Sequence, residues 1–136
     1  MKIRLRVLCV LLCVPFLGVC GGFRLDPDQY EENLLGRWQM VGDHCNEAGS
    51  CKKVIDGDKY TYMKNGIIHT ETKKYGEFSF EYDLRNDTIY FYVRKYYGSR
   101  PFPFTILYMT RNEMLLFDVV QRKNKQAAYT KYAKIP

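Results

Sequence analysis

The chain has 136 residues, a length that suits one domain, and a formal net charge of +6 from 21 basic and 15 acidic residues. Lys2, Arg4 and Arg6 precede an uncharged apolar run at 7–19, which is too short to cross a bilayer as a helix. Residues 1–22 are therefore predicted to be a secretory signal peptide. Without them the charge falls to +3, and only the turn at 122–125 concentrates basic residues, which argues against a nucleic-acid partner.

Two cysteines beyond the signal lie close together in sequence. Cys45 and Cys51 flank a polar segment at 46–50, whose glycine lets the chain reverse and bring the sulfurs together. A disulfide is predicted, and with it an exported protein in an oxidising compartment. A metal site is the alternative, but the two cysteines and nearby His44 lack a fourth ligand, so no metal and no cofactor are expected.

A third cysteine directly follows the apolar run. The sequence Leu17-Gly18-Val19-Cys20 resembles a bacterial lipobox, in which such a cysteine is lipidated and becomes the mature N-terminus, although Val19 stands where a small residue is usual. Lipidation would give a membrane-anchored lipoprotein and would remove an unpaired thiol. The alternative is ordinary signal cleavage, which would give a periplasmic or secreted protein.

A short helix is predicted in a lead-in at 23–33. Asp26 can cap it, Pro27 suits the first helical position, and Gln29 has the spacing of a capping box. At most two turns fit before Gly36 ends the helix. The main domain is predicted at 34–136.

From residue 37 onwards apolar and polar residues alternate with a period of two, which is typical of strands that cover a core. Trp38 and Met40 share one face of the first strand, and the Asn65-Gly66 pair favours a hairpin turn. A second turn is predicted at 84–87. Further strands are predicted at 59–63, 67–72, 77–82, 89–94, 104–110, 114–121 and 127–133.

Seven or eight strands joined by tight turns predict an all-β fold, a small up-and-down antiparallel barrel with a short N-terminal helix. Closing the meander would remove the two sheet edges that it otherwise exposes. The segments 104–110 and 114–120 are apolar on both faces. One face is therefore expected to line the interior and the other to pack on a second surface.

The segment at 35–38, which contains Gly36 and Trp38, resembles the Gly-x-Trp of lipocalins, where it follows a short helix that closes one end of the barrel. The Asn-Gly hairpin and the last strands are similar in order to those of short bacterial lipocalin-like exported proteins, over about residues 34–132. The resemblance implies a lipocalin-like fold more firmly than any ligand. It also implies a basic residue packed on the tryptophan, for which Lys131 and Arg111 are the candidates.

The chain is rich in aromatic residues, with 12 tyrosines and eight phenylalanines. Aromatic residues favour strands, so packing in the core and on the sheet is the simplest interpretation, and Trp38 is interpreted as structural. The second interpretation is a pocket in which rings and hydroxyls orient a small ligand. The pocket candidates are Tyr60, Tyr62, Phe80, Tyr90, Tyr92, Phe104 and Tyr108.

No catalytic motif surrounds His44 or His69, so no catalytic residue is assigned and an enzyme is not expected. The leading prediction is an exported lipocalin-like protein that binds a small hydrophobic or amphipathic ligand in its barrel, with a membrane tether through Cys20. The alternative is a non-catalytic envelope or secreted protein-interaction or inhibitor module whose barrel is filled by its own side chains.

Overall fold

The computed structural model of the protein describes residues 22–93, 100–118 and 129–136. The predicted signal peptide (except Gly22), Cys20 and the basic turn at 122–125 lie outside these ranges. The described residues form a short helix and nine strands, and paired strands run antiparallel. The elements are a 3-10 turn (Pro27–Gln29), α1 (Tyr30–Leu34), β1 (Gly36–Asp43), β2 (Lys52–Lys53), β3 (Lys59–Tyr62), β4 (Ile67–Thr72), β5 (Gly76–Arg85), β6 (Thr88–Tyr92), β7 (Phe102–Met109), β8 (Glu113–Asp118) and β9 (Tyr129–Ile135).

The sheet closes into an eight-stranded barrel, because its first and last long strands pair with each other. The order is β1-β3-β4-β5-β6-β7-β8-β9, and β9 returns to β1 with Trp38 opposite Lys134 and Met40 opposite Tyr132. The two-residue β2, which the sequence did not predict, pairs with the end of β1. The predicted small up-and-down barrel with a short N-terminal helix is confirmed.

The barrel has two different ends. At one, called the helix end, lie α1 and the connections β3–β4, β5–β6 and β7–β8. At the other, called the far end, lie the disulfide-containing connection from β1 to β3 and the turn at 73–75. β6 and β8 end there, and β7 and β9 begin there. The side chains that point inward between these ends determine what the barrel holds.

The helical lead-in follows its sequence signals. The backbone N–H of Asp26 donates to Oε1 of Gln29 at 3.0 Å, and Pro27 takes the first position of the 3-10 turn. α1 continues from this turn and buries Tyr30 and Leu34 against the core. The short helix thereby covers one end of the barrel.

Two hairpin turns contain residues with a positive φ. Gly66 has a φ of +78° in the predicted Asn65-Gly66 turn, and Oδ1 of Asn65 accepts the N–H two residues further on at 3.1 Å. The next hairpin is tighter than the predicted turn at 84–87, because β5 continues through Arg85 and the turn is only 86–87. Asn86 has a φ of +55°, a conformation that asparagine adopts more readily than most residues.

A β-bulge in β7 changes which side chains face inward. The register with β8 shifts between Ile106 and Tyr108, so Leu107 is the extra residue. Ile106 points into the core, whereas Tyr108 lies opposite Leu115 on the outer surface. Leu107 is 39% exposed.

The outer surface beside β8 and β9 is covered by the loop that carries the predicted disulfide between Cys45 and Cys51. The N–H of Cys45 donates to the carbonyl of Tyr129 at 3.1 Å. Both cysteines pack with Tyr108, Leu115 and Tyr129 in an apolar group, called the outer cluster. This cluster is the second buried surface that the apolar pattern of β7 and β8 predicts.

Candidate binding site

A tryptophan closes the helix end of the barrel. Trp38 is fully buried, and its indole N–H donates to the carbonyl of Leu34, the last residue of α1, at 2.8 Å. This bond satisfies the only polar atom of the ring. Nζ of Lys134 lies 5.2 Å from the centre of the Trp38 ring and donates to the carbonyl of Asn33 at 2.8 Å. Trp38, Lys134 and α1 together form what we call the floor of the barrel.

Lys134 occupies the position for which Lys131 and Arg111 were the candidates. Lys131 lies on the outside, with Nζ 3.5 Å from a carboxylate oxygen of Glu113, and Arg111 is exposed in the β7–β8 turn. Alternation along β9 explains the difference, because side chains two residues apart share a face and neighbours do not. Burial lowers the pKa of Lys134, and the face of the Trp38 ring offers its ammonium group a compensating contact.

Next to the floor, the barrel is filled by its own side chains. The completely buried ones include Ile68, Ile89, Met109 and Met114. Tyr62 packs among them, and its ring meets that of Tyr82 edge-on with 5.1 Å between the centroids. Burial raises the pKa of the Tyr62 hydroxyl well above 10.0. This half of the interior is a packed core.

Closer to the far end, two tyrosines meet across strands β1, β3 and β9. The rings of Tyr60 and Tyr132 have centroids 5.5 Å apart at an interplanar angle of 83°. Desolvation and the carboxylate of Asp58 raise the pKa of Tyr60 to about 12 and that of Tyr132 well above 10.0. Both side chains pack against the core and are half-buried. Both point inward, so their hydroxyls contribute polar atoms to the far half of the interior.

On the opposite side, five phenylalanines line the inner face of β5, β6 and β7. This aromatic wall consists of Phe78, Phe80, Phe91, Phe102 and Phe104. Successive contacts join Phe78 to Phe80 (5.7 Å between centroids), Phe80 to Phe91 (5.3 Å), Phe91 to Phe104 (5.0 Å) and Phe104 to Phe102 (6.5 Å). Phe91 is 8% exposed and the other four are half-buried. The far half of the interior thus combines an aromatic wall with a pair of hydroxyls.

The structure places four of the seven predicted pocket residues in the interior, namely Tyr60, Tyr62, Phe80 and Phe104. Tyr90 and Tyr92 lie on the outer face instead, because they alternate along β6 with Ile89 and Phe91, which point inward. The guanidinium carbon of Arg85 lies 5.1 Å from the centre of the Tyr90 ring. The predicted inward orientation of Tyr90 and Tyr92 is therefore corrected.

Tyr108 is also corrected, because the bulge in β7 turns it to the outer cluster. Its hydroxyl donates to Oε1 of Glu113 at 2.6 Å, and the guanidinium carbon of Arg24 lies 4.6 Å from the centre of its ring. Burial and the Glu113 carboxylate raise the pKa of Tyr108. A bulge that inserts one residue cannot be read from alternation alone, since the pattern on either side of it is regular.

The predicted pocket candidates did not include four of the interior residues, Phe78, Phe91, Phe102 and Tyr132. The alternation of Phe78 with Phe80 and of Phe91 with Ile89 was available as a signal. Tyr132 becomes an interior residue beside Tyr60 only through the pairing of β9 with β1, which the sequence indicates only through the overall topology.

A concavity lies outside the barrel, at the helix end. It is a groove of about 620 Å³ between α1, the β3–β4 turn and the end of β5. Four carboxylates line it, from Asp28, Glu31, Glu32 and Asp83, together with the ammonium group of Lys64. The groove is therefore acidic, in contrast to the barrel interior.

Within the described ranges, no group of three or more histidine, cysteine, aspartate or glutamate residues is placed to hold a metal ion. In the same part of the chain, no helix is long and apolar enough to cross a membrane. The sequence matches no protein-family model, and it matches no curated protein. The geometry alone defines the class, a small closed eight-stranded antiparallel barrel that is consistent with a lipocalin-like fold.

Proposed function

We propose that the protein is an exported, non-catalytic binding protein that takes a small hydrophobic or amphipathic molecule into the far half of its barrel. The observation that carries this proposal is the set of inward-facing aromatic side chains that remain half-buried. Trp38 in the floor is completely buried, whereas Tyr60, Tyr132 and most of the aromatic wall retain accessible surface.

Burial of apolar surface would supply the affinity. Each square ångström of apolar surface removed from water contributes roughly 25 cal/mol, so a ligand that covers the aromatic wall gains several kcal/mol before the costs of association. Barrels of eight strands are wide enough either to be filled by side chains or to hold one small ligand. Here the half next to the floor would be filled by side chains, and the far half would hold the ligand.

Export is part of the proposal and is supported by the Cys45–Cys51 disulfide, since such bonds persist in oxidising compartments. The proposed signal peptide and a lipid anchor at Cys20 complete this location. The anchor would hold the barrel at a membrane surface, where apolar ligands partition.

The second candidate function is a protein-interaction or inhibitor module that uses its outer surface. The packed half of the barrel and the acidic groove beside α1 favour it, because a groove lined by four carboxylates suits a basic segment of a protein partner. In this case the aromatic wall would serve stability alone.

Native mass spectrometry of the protein purified from its source separates the two candidates. A co-purifying small molecule that is released on denaturation supports the carrier, whereas preparations that repeatedly carry only the chain contradict it. The same spectrum tests Cys20, because a lipidated terminus adds a large fixed mass.

A further inference from the structure

The far half of the interior presents two different chemistries on opposite sides. In the closed strand order, β6 lies directly across the barrel from β1. The aromatic wall is centred on β6, and the hydroxyls of Tyr60 and Tyr132 come from β3 and β9, the two strands that flank β1. A molecule between the two sides would touch ring carbons on one and hydroxyls on the other.

The aromatic wall favours a flat ligand over a flexible chain. Its consecutive ring centroids lie 5.0 to 6.5 Å apart across three adjacent strands. A ligand ring that packs against one of these rings gains about 0.5–1.5 kcal/mol beyond simple area burial. A flat ring system also loses less conformational freedom on binding than an alkyl chain of the same size.

The tyrosine pair leaves one hydroxyl proton for a ligand. Each hydroxyl has one proton and two lone pairs, so a hydrogen bond between Tyr60 and Tyr132 can use at most one of the two protons. The nearby hydroxyl of Thr70 is engaged as well, since it donates to the carbonyl of Phe78 at 3.0 Å. The second proton of the pair is therefore free to donate to an acceptor on the ligand.

The charges near the pair disfavour an anion. Burial is the largest cause that raises the pKa of Tyr132, and the carboxylates of Asp58 and Asp43 add to it; Asp58 also acts on Tyr60. A negative ligand group would meet the same repulsion, together with the cost of losing its water. A neutral acceptor such as a ketone avoids both.

We propose that the ligand is an uncharged, flat aromatic molecule that stacks on the aromatic wall and accepts one hydrogen bond from the Tyr60–Tyr132 pair through a neutral oxygen. This inference rests on the proposed barrel-binding function and narrows it to a ligand class. It separates this class from fatty acids and other anionic amphiphiles.

The test uses three naphthalenes that differ at one position, with the full mature chain. They are 6-propionyl-2-dimethylaminonaphthalene, which carries a ketone, 2-dimethylaminonaphthalene, which lacks it, and 6-dimethylamino-2-naphthoate, which carries a carboxylate. Binding is followed by fluorescence titration. We expect the ketone to bind about 3- to 10-fold more tightly than the unsubstituted compound, as one net hydrogen bond allows, and at least 10-fold more tightly than the carboxylate.

Variants assign the effect to the proposed residues. Tyr60→Phe combined with Tyr132→Phe should reduce binding of the ketone to the level of the unsubstituted compound and leave the latter unchanged. Tyr90→Phe combined with Tyr92→Phe, on the outer face, is the matched control and should change neither. Circular dichroism and thermal unfolding verify that each variant folds.

The outcomes distinguish the ligand class from the proposed function. Failure of all three naphthalenes and of 1-dodecanol to bind contradicts barrel binding itself. Binding of 1-dodecanol or the carboxylate as tightly as the ketone leaves a carrier but overturns the ligand class. A ketone preference that survives in the Tyr60→Phe, Tyr132→Phe variant overturns the role of the tyrosine pair.

Discussion

Two side chains at the floor of the barrel, Trp38 and Lys134, pack beside a residue that has no side chain, Gly36. Gly36 has a φ of +114°, and a Cβ at this position would lie 3.1 Å from Cε of Lys134. Lys134 in turn lies over Trp38 and bonds the carbonyl of Asn33. The glycine of the Gly-x-Trp motif is thus explained by backbone conformation and by the space that the lysine occupies.

Gly36→Ala should lower the free energy of unfolding by about 2–3 kcal/mol, because alanine strains the backbone and displaces Lys134. Gly76→Ala is the matched control, since Gly76 has a φ of +73° but no atom within 4 Å of the added Cβ. It should cost only about 1 kcal/mol. Urea unfolding measures both. Equal losses would show that contact with Lys134 has no part in the effect.

Lys134→Met should destabilise the protein by about 1–2 kcal/mol, through loss of a hydrogen bond and a cation–π contact at similar side-chain length. Lys52→Met in the exposed β2 provides the control and should change stability by less than about 0.5 kcal/mol. Urea midpoints give the comparison. A Lys134→Met variant as stable as the wild type would contradict the structural role of the ammonium group.

At the scale of elements, the sequence predicted most strands within a few residues, because alternation and turn residues act locally. β4 coincides with its prediction at 67–72, where the Asn65-Gly66 turn sets the start. Local patterns could not reveal the bulge before Tyr108, since it depends on the partner strand. Half of the interior residues of the candidate site were predictable, because alternation is a local pattern. Tyr132 was not, because its position beside Tyr60 depends on the long-range pairing of β9 with β1.

The disulfide loop should contribute to stability twice, through the cross-link and through cover of the outer cluster. Reduction of Cys45–Cys51 should lower the free energy of unfolding by about 2 kcal/mol, the value expected for a closed loop of this short length. Urea unfolding with and without dithiothreitol gives the difference. A variant with serine at both positions, Cys45→Ser and Cys51→Ser, should show the reduced stability under both conditions. Dithiothreitol sensitivity in that variant would assign the effect to another thiol.

For the whole molecule, the inward-facing tyrosines make stability sensitive to alkali. Tyr60 has a pKa of about 12 when folded and 10.0 when exposed, which corresponds to about 3 kcal/mol. Between those values the folded state holds a proton that the unfolded state has released. The contribution of Tyr60 is therefore complete below pH 10 and is lost as the pH rises towards 12. Tyr62 and Tyr132 act in the same direction, since burial raises the pKa of each.

The urea concentration at the unfolding midpoint should accordingly decrease as the pH rises from 9 to 11. Phenolate absorbance should increase together with unfolding. Lys134 opposes this trend, because its folded pKa is below 10.5 and its contribution becomes more favourable up to that pH. Three tyrosines outweigh one partly exposed lysine. Tyr60→Phe should make the decline shallower, and a midpoint that does not change over this range would contradict the burial of these hydroxyls.

The pairing of β1 with β9 also has a consequence for the order of assembly. Every other strand pair of the barrel joins strands that are close together in the sequence. Each of these pairs can therefore form as soon as both strands have been synthesised. The remaining pair joins β1 to β9, the barrel strands that lie farthest apart in the sequence. The barrel therefore keeps two unpaired strand edges until β9 has been synthesised.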